Sequence, residues 1–361
     1  MSLMYNILGQ KHLQELWTRW AANQQVPHAI LVAGKDGFGG LALALNLSEA
    51  LLCTTPLSER PQSKQIQGCG HCPSCRRVRQ LIHPDLHIAF PMVSAARKKH
   101  ATTARKKLGE LLIENPYLPL EDFLGAFSTD NQKKTAGNIT ADDVKGIISN
   151  ISLSSFYGGW KVQVIWHAEC LDKESNKLLK LLEEPPPKTL FILLTPNANL
   201  LLTTILSRCQ RFQLKPVSYG AIGEREAGFW SHSNIPSESQ WNYAQGVPGN
   251  LYDNSTHNSK TEEVTRHADE LVRVLVAPPT PQRIYELEQM MRVINKLPIA
   301  LQKQILGYVA HLLGETQHID PSIQNHLVYI LSEMVQELGQ SIRLSTRIMG
   351  LWLNTHRKFS I

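Results

Sequence analysis

Residues 28–53 read HAILVAGKDGFGGLALALNLSEALLC, and this stretch decides the fold. It begins as a short apolar strand over 28–34, passes through a glycine-rich turn and continues as a helix over 40–52. That order is typical of a phosphate-binding P-loop, GxxxxGK[ST], whose backbone N–H groups surround the phosphates. Gly40 and Leu41 stand where the motif requires lysine and a hydroxyl. The turn is therefore expected without its cation and its magnesium ligand.

The acidic part of a working nucleotide site is also missing. Such a site needs Asp-Glu at the end of the third strand, for magnesium and for the attacking water. The chain reads VIWHAEC there, which places Trp166 and His167 at those positions, with Glu169 and Asp172 out of register. The turn keeps its glycines Gly34, Gly37 and Gly39. Two independent losses predict that neither ATP nor Mg²⁺ is used in this site; the alternative is an ordinary glycine turn that never bound phosphate.

Strands and helices alternate after this stretch. Further strands are predicted at 85–91, 161–168, 189–196 and 211–216, and helices at 140–150 and 173–184. Thr140 is expected to cap its helix, with Asp143 three residues later. Alternation of this kind predicts right-handed crossovers and a mostly parallel sheet in an α/β domain. The stretch 94–137 is polar with the basic runs ARKKH and ARKKL, and we expect it to be an irregular insertion of unknown role.

Strand patterns stop near residue 217, and the chain of 361 residues then becomes helical. We predict an α/β domain over 1–216, a small helical domain over 217–258 and an all-α domain over 259–361. Helices in the last domain are expected to break at its prolines, which are Pro278–Pro281, Pro298 and Pro321.

Composition narrows the class of protein. The hydrophobic fraction is 42%, enough for packed cores. The sequence contains no run of 18 or more apolar residues, so it predicts no membrane-spanning helix. The first residues lack the pattern of a secretory signal, so a cytoplasmic protein with reduced cysteines is expected. A net charge of +6 permits contact with nucleic acid without establishing it.

Four of the six cysteines are grouped. Cys69, Cys72 and Cys75 form two overlapping C-x-x-C steps, and Cys53 precedes them by one loop. Four thiolates complete a tetrahedral shell with no open position, so the pattern predicts a structural zinc module over 53–75. The alternatives are unrelated thiols, or a site that uses His71 or His83 as a ligand.

Residues 177–212, KLLKLLEEPPPKTLFILLTPNANLLLTTILSRCQRF, carry a resemblance to a known family. The LLKxLEEPP run, a strand, the SRC motif and a following phenylalanine resemble the bacterial clamp-loader AAA+ ATPases of DNA polymerase III. The cysteine module and PHAILVAG before the glycine turn agree with it. The family's gamma/tau motor type keeps the lysine and Asp-Glu, whereas its delta-prime type commonly lacks them. AQGVPGNL at 244–251 is also similar to the delta-prime type.

The resemblance implies a RecA-like AAA+ domain with an inserted zinc module, a small helical lid and a C-terminal helical collar. It implies that Arg208 of the SRC motif acts in trans, as an arginine finger on ATP held by a neighbouring subunit. The alternative is a structural arginine paired with Glu183 or Glu184. Implied partners are gamma/tau subunits, a delta subunit, the sliding clamp and primed DNA, for which the helix after Thr140 is a candidate contact. No membrane partner is implied.

Two other functions remain open from the sequence. One is an active ATPase of the gamma/tau type, which the missing lysine and Asp-Glu oppose. The other is a zinc-containing nucleic-acid-binding protein with no role in a clamp loader. Binding of ATP to the isolated chain would favour the first, and failure to join loader subunits would favour the second.

Overall fold

The structure is a computed structural model, and it describes residues 5, 7–60, 67–93, 97, 100, 103–127, 137–221, 241, 244, 246–251, 257–297, 299–315, 321–337 and 344–358. The chain divides into two compact units, Met1–Tyr252 and Asp253–Ile361. Most of the small helical domain predicted over 217–258 lies outside the described residues. The division into three domains therefore stays a prediction.

The first unit is built on a five-stranded parallel sheet. Its strands are β1 Ala29–Ala33, β2 Leu86–Ala89, β3 Lys161–Ile165, β4 Thr189–Thr195 and β5 Gln210–Gln213. They lie in the order β2-β3-β4-β1-β5, and every neighbouring pair is parallel. The five predicted strands and the predicted parallel sheet are confirmed. Ala33 lies opposite Thr195, so the ends of β1 and β4 meet at the carboxyl edge of the sheet.

Helices connect the strands. The helices of the first unit are α1 Lys11–Asn23, α2 Gly40–Leu52, α3 Pro73–Arg79, α4 Ala104–Glu114, α5 Leu120–Gly125, α6 Ala141–Ser152, α7 Leu179–Glu183 and α8 Thr203–Leu206. The predicted capping box of α6 is present, because Thr140 accepts from the Asp143 N–H and the Asp143 side chain accepts from the Thr140 N–H. The helix predicted over 173–184 is instead a 3₁₀-helix, Ala168–Leu178, followed by α7.

The prediction of an irregular insertion over 94–137 is wrong for its described part. That part contains α4 and α5, which bury Leu108, Leu112 and Phe123 completely. The lysines of the ARKKL run hid an amphipathic pattern, since apolar residues recur three and four positions apart after them.

The core covers both faces of the sheet. Ile30 and Val32 of β1 pack into the larger cluster with residues of α1 and α2, while Leu31 packs on the opposite face with residues of α6. Successive side chains of a strand point to opposite faces, so a strand covered on both sides is apolar throughout.

The second unit is helical in its described residues. It contains α9 His257–Val276, α10 Pro281–Ile294, α11 Ile299–Glu315, α12 Pro321–Glu337 and α13 Leu344–Lys358. α9 ends before Pro278, and α10 and α12 begin at Pro281 and Pro321, as predicted, while Pro298 lies outside the described residues. Thr280 caps α10 by accepting from the Arg283 N–H. Within the part of the chain that the structure describes, no helix has the length and apolar character needed to cross a bilayer.

Candidate functional site

The P-loop-like turn lies at the carboxyl edge of the sheet, between β1 and α2. Gly37 and Gly39 have φ of 87° and 77°, a left-handed conformation that glycine adopts without strain. α2 begins at Gly40, and Leu41 is buried among core side chains. The backbone therefore turns as a P-loop does, but Leu41 contributes to packing and offers no ligand for an ion.

The cavity above the turn is narrow and partly open to solvent. Its enclosed space measures about 30 Å³, room for a water molecule or two. Tyr117 closes one side: it is 1% exposed, and its hydroxyl accepts a 2.7 Å hydrogen bond from the Leu8 N–H. A Cβ on Gly39 would lie 3.0 Å from the Tyr117 ring.

Trp166 and His167 follow β3 at the same edge. Trp166 is buried and packs against Phe123, with ring centroids 5.7 Å apart. His167 lies between two carboxylates, with Nδ1 2.7 Å from Glu169 Oε1 and Nε2 at the ion-pair distance of 3.1 Å from Asp36 Oδ1. The structure thus puts an imidazole ion pair where a working site needs two acids.

His167 is expected to be charged at neutral pH. Burial lowers the pKa of His167, but the carboxylates of Asp36 and Glu169 outweigh burial and raise this pKa to about 9. An imidazolium that pairs with both nearby acids cancels one of their two negative charges. This arrangement opposes magnesium binding there.

Arg208 lies on the turn between α8 and β5, and its guanidinium is partly exposed. Nη2 lies 2.5 Å from Glu183 Oε1, and Nη1 donates a 2.7 Å hydrogen bond to the Thr204 carbonyl. Of the two carboxylates considered for a structural pair, Glu183 is the one that Arg208 contacts. Both side chains remain solvent-accessible, at 31% and 47% exposure, so the ion pair stabilises the chain by only about 0–1 kcal/mol.

The four grouped cysteines come together in one buried cluster. Their Sγ atoms all lie within 4.8 Å of one another, and the pairs Cys53–Cys72 and Cys69–Cys75 are 4.0 and 3.9 Å apart. A tetrahedral zinc site with Zn–S bonds of about 2.3 Å requires S···S distances of about 3.8 Å. The cluster therefore fits a metal ion of this kind.

Neighbouring groups favour thiolates in the cluster. Backbone N–H groups of Cys69, Cys72 and Cys75 donate 3.3 Å hydrogen bonds to the sulfurs of Cys53, Cys69 and Cys72, respectively. Such bonds stabilise metal-bound sulfur. The alternative ligands are engaged elsewhere, because His71 Nδ1 contacts the Cys69 carbonyl and His83 Nε2 contacts Ser74 Oγ.

A buried ion pair joins the cysteine module to α2. Glu49 has no exposed side-chain surface, and its Oε1 lies 2.6 Å from Arg79 Nε at the end of α3. Glu49 Oε2 accepts a hydrogen bond from the Gly68 N–H, beside Cys69. The module is thereby fixed to the helix that follows the P-loop-like turn.

The amino end of α6 has acidic side chains in its first turn, which are Asp142 and Asp143. Asp143 occupies the helix cap with Thr140 and pairs with Arg97. These carboxylates oppose phosphate binding at this helix end, which the sequence had suggested as a DNA contact.

Sequence reasoning missed Tyr117, Asp36 and Glu49 as parts of these sites. Asp36 lies on the P-loop-like turn itself, whereas Tyr117 comes from a distant part of the chain and only the three-dimensional structure brings it to the cavity. Glu49 carried a signal, because a charged residue stands there within the apolar run of α2.

Comparison with known protein families identifies one family. The family model described as DNA polymerase III, delta subunit, matches residues 9–218, which are 210 of the 361 residues. The match covers the sheet, the P-loop-like turn, the cysteine module and Arg208.

Curated relatives match part of the chain. The delta' subunit of DNA polymerase III from Escherichia coli is 29% identical over 52% of this chain and 42% of its own length. The tau/gamma subunit from Haemophilus influenzae is 24% identical over 64% of this chain and 27% of its own length. The chain therefore spans less than half the length of either relative.

A solved structure also matches, a gamma subunit-related protein of DNA polymerase III from Thermotoga maritima. The TM-score is 0.45 at 13% identity, over 95% of this chain and 99% of that one. This similarity is too weak to carry an argument about function.

Proposed function

This chain belongs to the DNA polymerase III delta-subunit family, and from that membership we propose that it is a clamp-loader subunit of the delta-prime type. In this proposal it binds no ATP or Mg²⁺ of its own. It helps to load the sliding clamp onto primed DNA in the cytoplasm, and it supplies Arg208 to ATP held by a neighbouring subunit.

The altered P-loop-like turn is the observation that carries the proposal. Leu41 packs in the core where the magnesium ligand would stand, and the enclosed part of the cavity beside it, which Tyr117 lines, has room for a water molecule or two. The charges point the same way, because Gly40 offers no cation for phosphate and His167 pairs with both acids that could hold magnesium, which cancels one of their two charges.

An active ATPase of the gamma/tau type is the competing function, and the match to tau and gamma subunits supports it. It would require the cavity to open and a different group to replace the missing lysine. The delta-prime type needs neither change. For this reason we prefer it.

The surroundings of Arg208 support a role in trans. The guanidinium is partly exposed on the surface, and its contacts with Glu183 and Thr204 leave it solvent-accessible. A weak exposed ion pair can exchange Glu183 for a phosphate, because a planar guanidinium matches phosphate oxygens in two-pronged contacts. We therefore propose Arg208 as the arginine finger; gamma/tau, delta, the clamp and primed DNA are the proposed partners.

We further propose that Cys53, Cys69, Cys72 and Cys75 hold one structural Zn²⁺. The observed S···S distances of 3.9 and 4.0 Å support it. An ion with four thiolate ligands has no open position for water. Its part in the proposed function is to fix the fold of the module that joins α2 to α3.

Reconstitution tests the proposal. The full-length chain is combined with gamma/tau, delta and clamp on primed DNA, and steady-state ATP turnover and clamp loading are measured. Omitting the chain should abolish loading, although the isolated chain hydrolyses no ATP. If the isolated chain binds Mg-ATP with low-micromolar affinity, the delta-prime assignment is wrong and the gamma/tau type replaces it. If the chain fails to join the complex, neither clamp-loader function holds.

A further inference from the structure

A second surface of the first unit lies away from the P-loop-like turn. Parallel strands all end at the carboxyl edge of their sheet, where the turn and His167 lie, and all begin at the opposite, amino edge. Asp85 directly precedes β2 and the loop over 153–160 precedes β3, so both belong to the amino edge. Whatever this edge binds is separate from the proposed nucleotide chemistry.

Exposed apolar side chains collect at this edge. Phe156 is 72% exposed, Ile82 is 61% exposed and Tyr157 is 45% exposed. The Phe156 and Tyr157 rings are in contact, with centroids 4.9 Å apart, and the Arg77 guanidinium lies 5.9 Å from the centre of the Tyr157 ring. Ile82 follows α3 closely in the chain, and its N–H donates to the Arg77 carbonyl. We call Arg77, Ile82, Phe156 and Tyr157 the Phe156 surface.

A buried polar network holds the two rings in place. Asp85 is 3% exposed, and its carboxylate accepts hydrogen bonds of 2.7 and 3.3 Å from the N–H groups of Phe156 and Tyr157. The Asp85 N–H donates to His83 Nδ1, and His83 Nε2 bonds to Ser74 Oγ on α3. Burial lowers the pKa of His83, which keeps its ring neutral and able to accept from Asp85. Exposed aromatic residues on a backbone fixed in this way are preorganised for contact.

Positive charge borders the apolar group. Arg76 and Arg77 are exposed on α3, and among the described residues neither forms an ion pair with a carboxylate. Arg77 donates to the Tyr157 hydroxyl, which orients the guanidinium beside the ring. Tyrosine, phenylalanine and arginine are the residues enriched where proteins bind one another.

The geometry favours a protein partner over single-stranded nucleic acid. The Phe156 and Tyr157 rings are nearly perpendicular, at 78°, so they form no continuous platform for successive bases. Arg77 lies over the Tyr157 ring, and Ile82 is aliphatic and cannot stack on a base. An apolar side chain flanked by acidic residues fits both the apolar centre and the basic border.

We propose that the Phe156 surface binds a partner protein through a short segment that carries an aromatic or large aliphatic side chain next to Asp or Glu. Phe156 and Ile82 receive the apolar side chain, and Arg77 pairs with the carboxylate. Because α3 carries Cys75 as well as Arg77, the cysteine module also positions this surface.

Peptide selection on the full-length chain tests the proposal without any other clamp-loader subunit. Random peptides of roughly ten residues, long enough to span the surface, are selected on the chain, and individual peptides are then measured by fluorescence anisotropy. The selected peptides should contain an aromatic or large aliphatic residue beside Asp or Glu. Phe156→Ser and Arg77→Glu should each weaken binding at least about tenfold. Ile113→Ser is the matched control, since Ile113 is also 72% exposed but lies on α4. The affinity of this variant for the selected peptides should equal that of wild type.

A charge exchange sharpens the test. Peptides whose Asp or Glu is replaced by lysine should bind Arg77→Glu better than they bind wild type. Melting curves verify that each variant is folded. We expect folding to be preserved because the substituted side chains are exposed. The proposal is overturned if selected peptides bind Phe156→Ser and Arg77→Glu as they bind wild type, or if selection yields no binder. It is also overturned if a labelled oligothymidylate binds at this surface and the peptides do not, because the partner is then a nucleic acid.

Discussion

The Gly249 N–H donates a 2.9 Å hydrogen bond to the Gly37 carbonyl, at the middle of the P-loop-like turn. The approach is so close that a Cβ on Gly249 would lie 2.4 Å from Gly37 Cα. A Cβ on Gly249 would also lie 2.9 Å from Tyr117 Cβ, so Gly249 and Tyr117 pack side by side against the turn. The segment that contains Gly249 thus holds the turn in place through its backbone.

We predict that the isolated chain does not bind Mg-ATP in the micromolar range, and that Gly40→Lys alone does not create binding. Lysine restores a cation, but the hydroxyl is still missing at Leu41 and the acidic pair is still replaced by Trp166 and His167. Calorimetry measures the affinity directly. In melting experiments, a ligand at one hundred times its dissociation constant stabilises a protein by about 2.7 kcal/mol, so a millimolar ATP titration that leaves the melting temperature unchanged agrees with the prediction. A clear upward shift for wild type contradicts it.

We predict that the ion pairs of His167 make stability depend on alkaline pH. The pKa of His167 is raised from 6.5 to about 9, so its stabilising effect is fully present below pH 6.5 and is lost as pH rises through 9. The loss amounts to at most about 3 kcal/mol. His167→Gln should be less stable than wild type at pH 6.5, and the difference should shrink toward pH 9.

Chemical denaturation at a series of pH values checks this expectation. His12→Gln is the matched control, because His12 is exposed on α1, and its denaturation midpoints should follow those of wild type. A constant difference between His167→Gln and wild type across this range would show that His167 is not titrating there.

One tightly bound zinc ion per chain is expected at the cysteine cluster. Elemental analysis of the purified chain should give a ratio near one, and Cys72→Ser/Cys75→Ser should be zinc-free and much less stable, since structural zinc contributes on the order of 10 kcal/mol to local folding. Cys170→Ser, outside the cluster, should keep its zinc. A zinc-free double variant that melts like wild type would refute a structural role.

Breaking the buried pair between Glu49 and Arg79 is expected to be costly. Arg79→Met leaves the Glu49 carboxylate buried without its ion-pair partner, and we expect a loss of about 3 kcal/mol in unfolding free energy. Arg76→Met, on the same helix but exposed, should change stability by less than about 0.5 kcal/mol. Glu49→Leu/Arg79→Met should recover much of the loss, because an apolar pair leaves no unpaired charge. If Arg79→Met and Arg76→Met are equally stable, the ion pair between Glu49 and Arg79 does not support the module.

Variants of Arg208 and Glu183 separate the two roles of the arginine. In reconstituted complexes, Arg208→Ala and Arg208→Lys should lower ATP turnover at the one site they face, where such fingers contribute roughly 10³–10⁵ in rate, so total turnover falls in part. Glu183→Gln frees the guanidinium and should keep wild-type turnover. A purely structural arginine predicts instead that Glu183→Gln and Arg208→Ala lose activity alike. Arg211→Ala, on β5, is the matched control.

The parallel sheet could be predicted because its central strands are buried on both faces. Residues 29–33 and 190–194 are apolar without alternation, and glycine or proline follows each run within two residues. α4 could not be recognised as easily, since the basic run at its start masks the apolar positions after it. Helix α2 was predicted with its observed bounds because the glycine turn marks its first residue.

The candidate sites also differ in how well the sequence alone could predict them. Cys53 and the C-x-x-C steps lie close together in the sequence, and their spacing was sufficient to predict the cluster. The contact of Tyr117 with Leu8 joins residues 109 positions apart, so no local pattern indicates it. The same holds for Asp36 and His167, which β1 and β3 bring to one edge.

If the chain binds no nucleotide, as we propose, it is indifferent to the cellular ratio of ATP to ADP. A nucleotide-binding subunit changes its conformational populations as the bound nucleotide changes, because each ligand stabilises the state it prefers. No such linkage would act through a site that binds neither ligand. The unit that carries Arg208 would then present one geometry to its neighbour before and after hydrolysis, so the timing of each reaction cycle would be set entirely by the subunits around it.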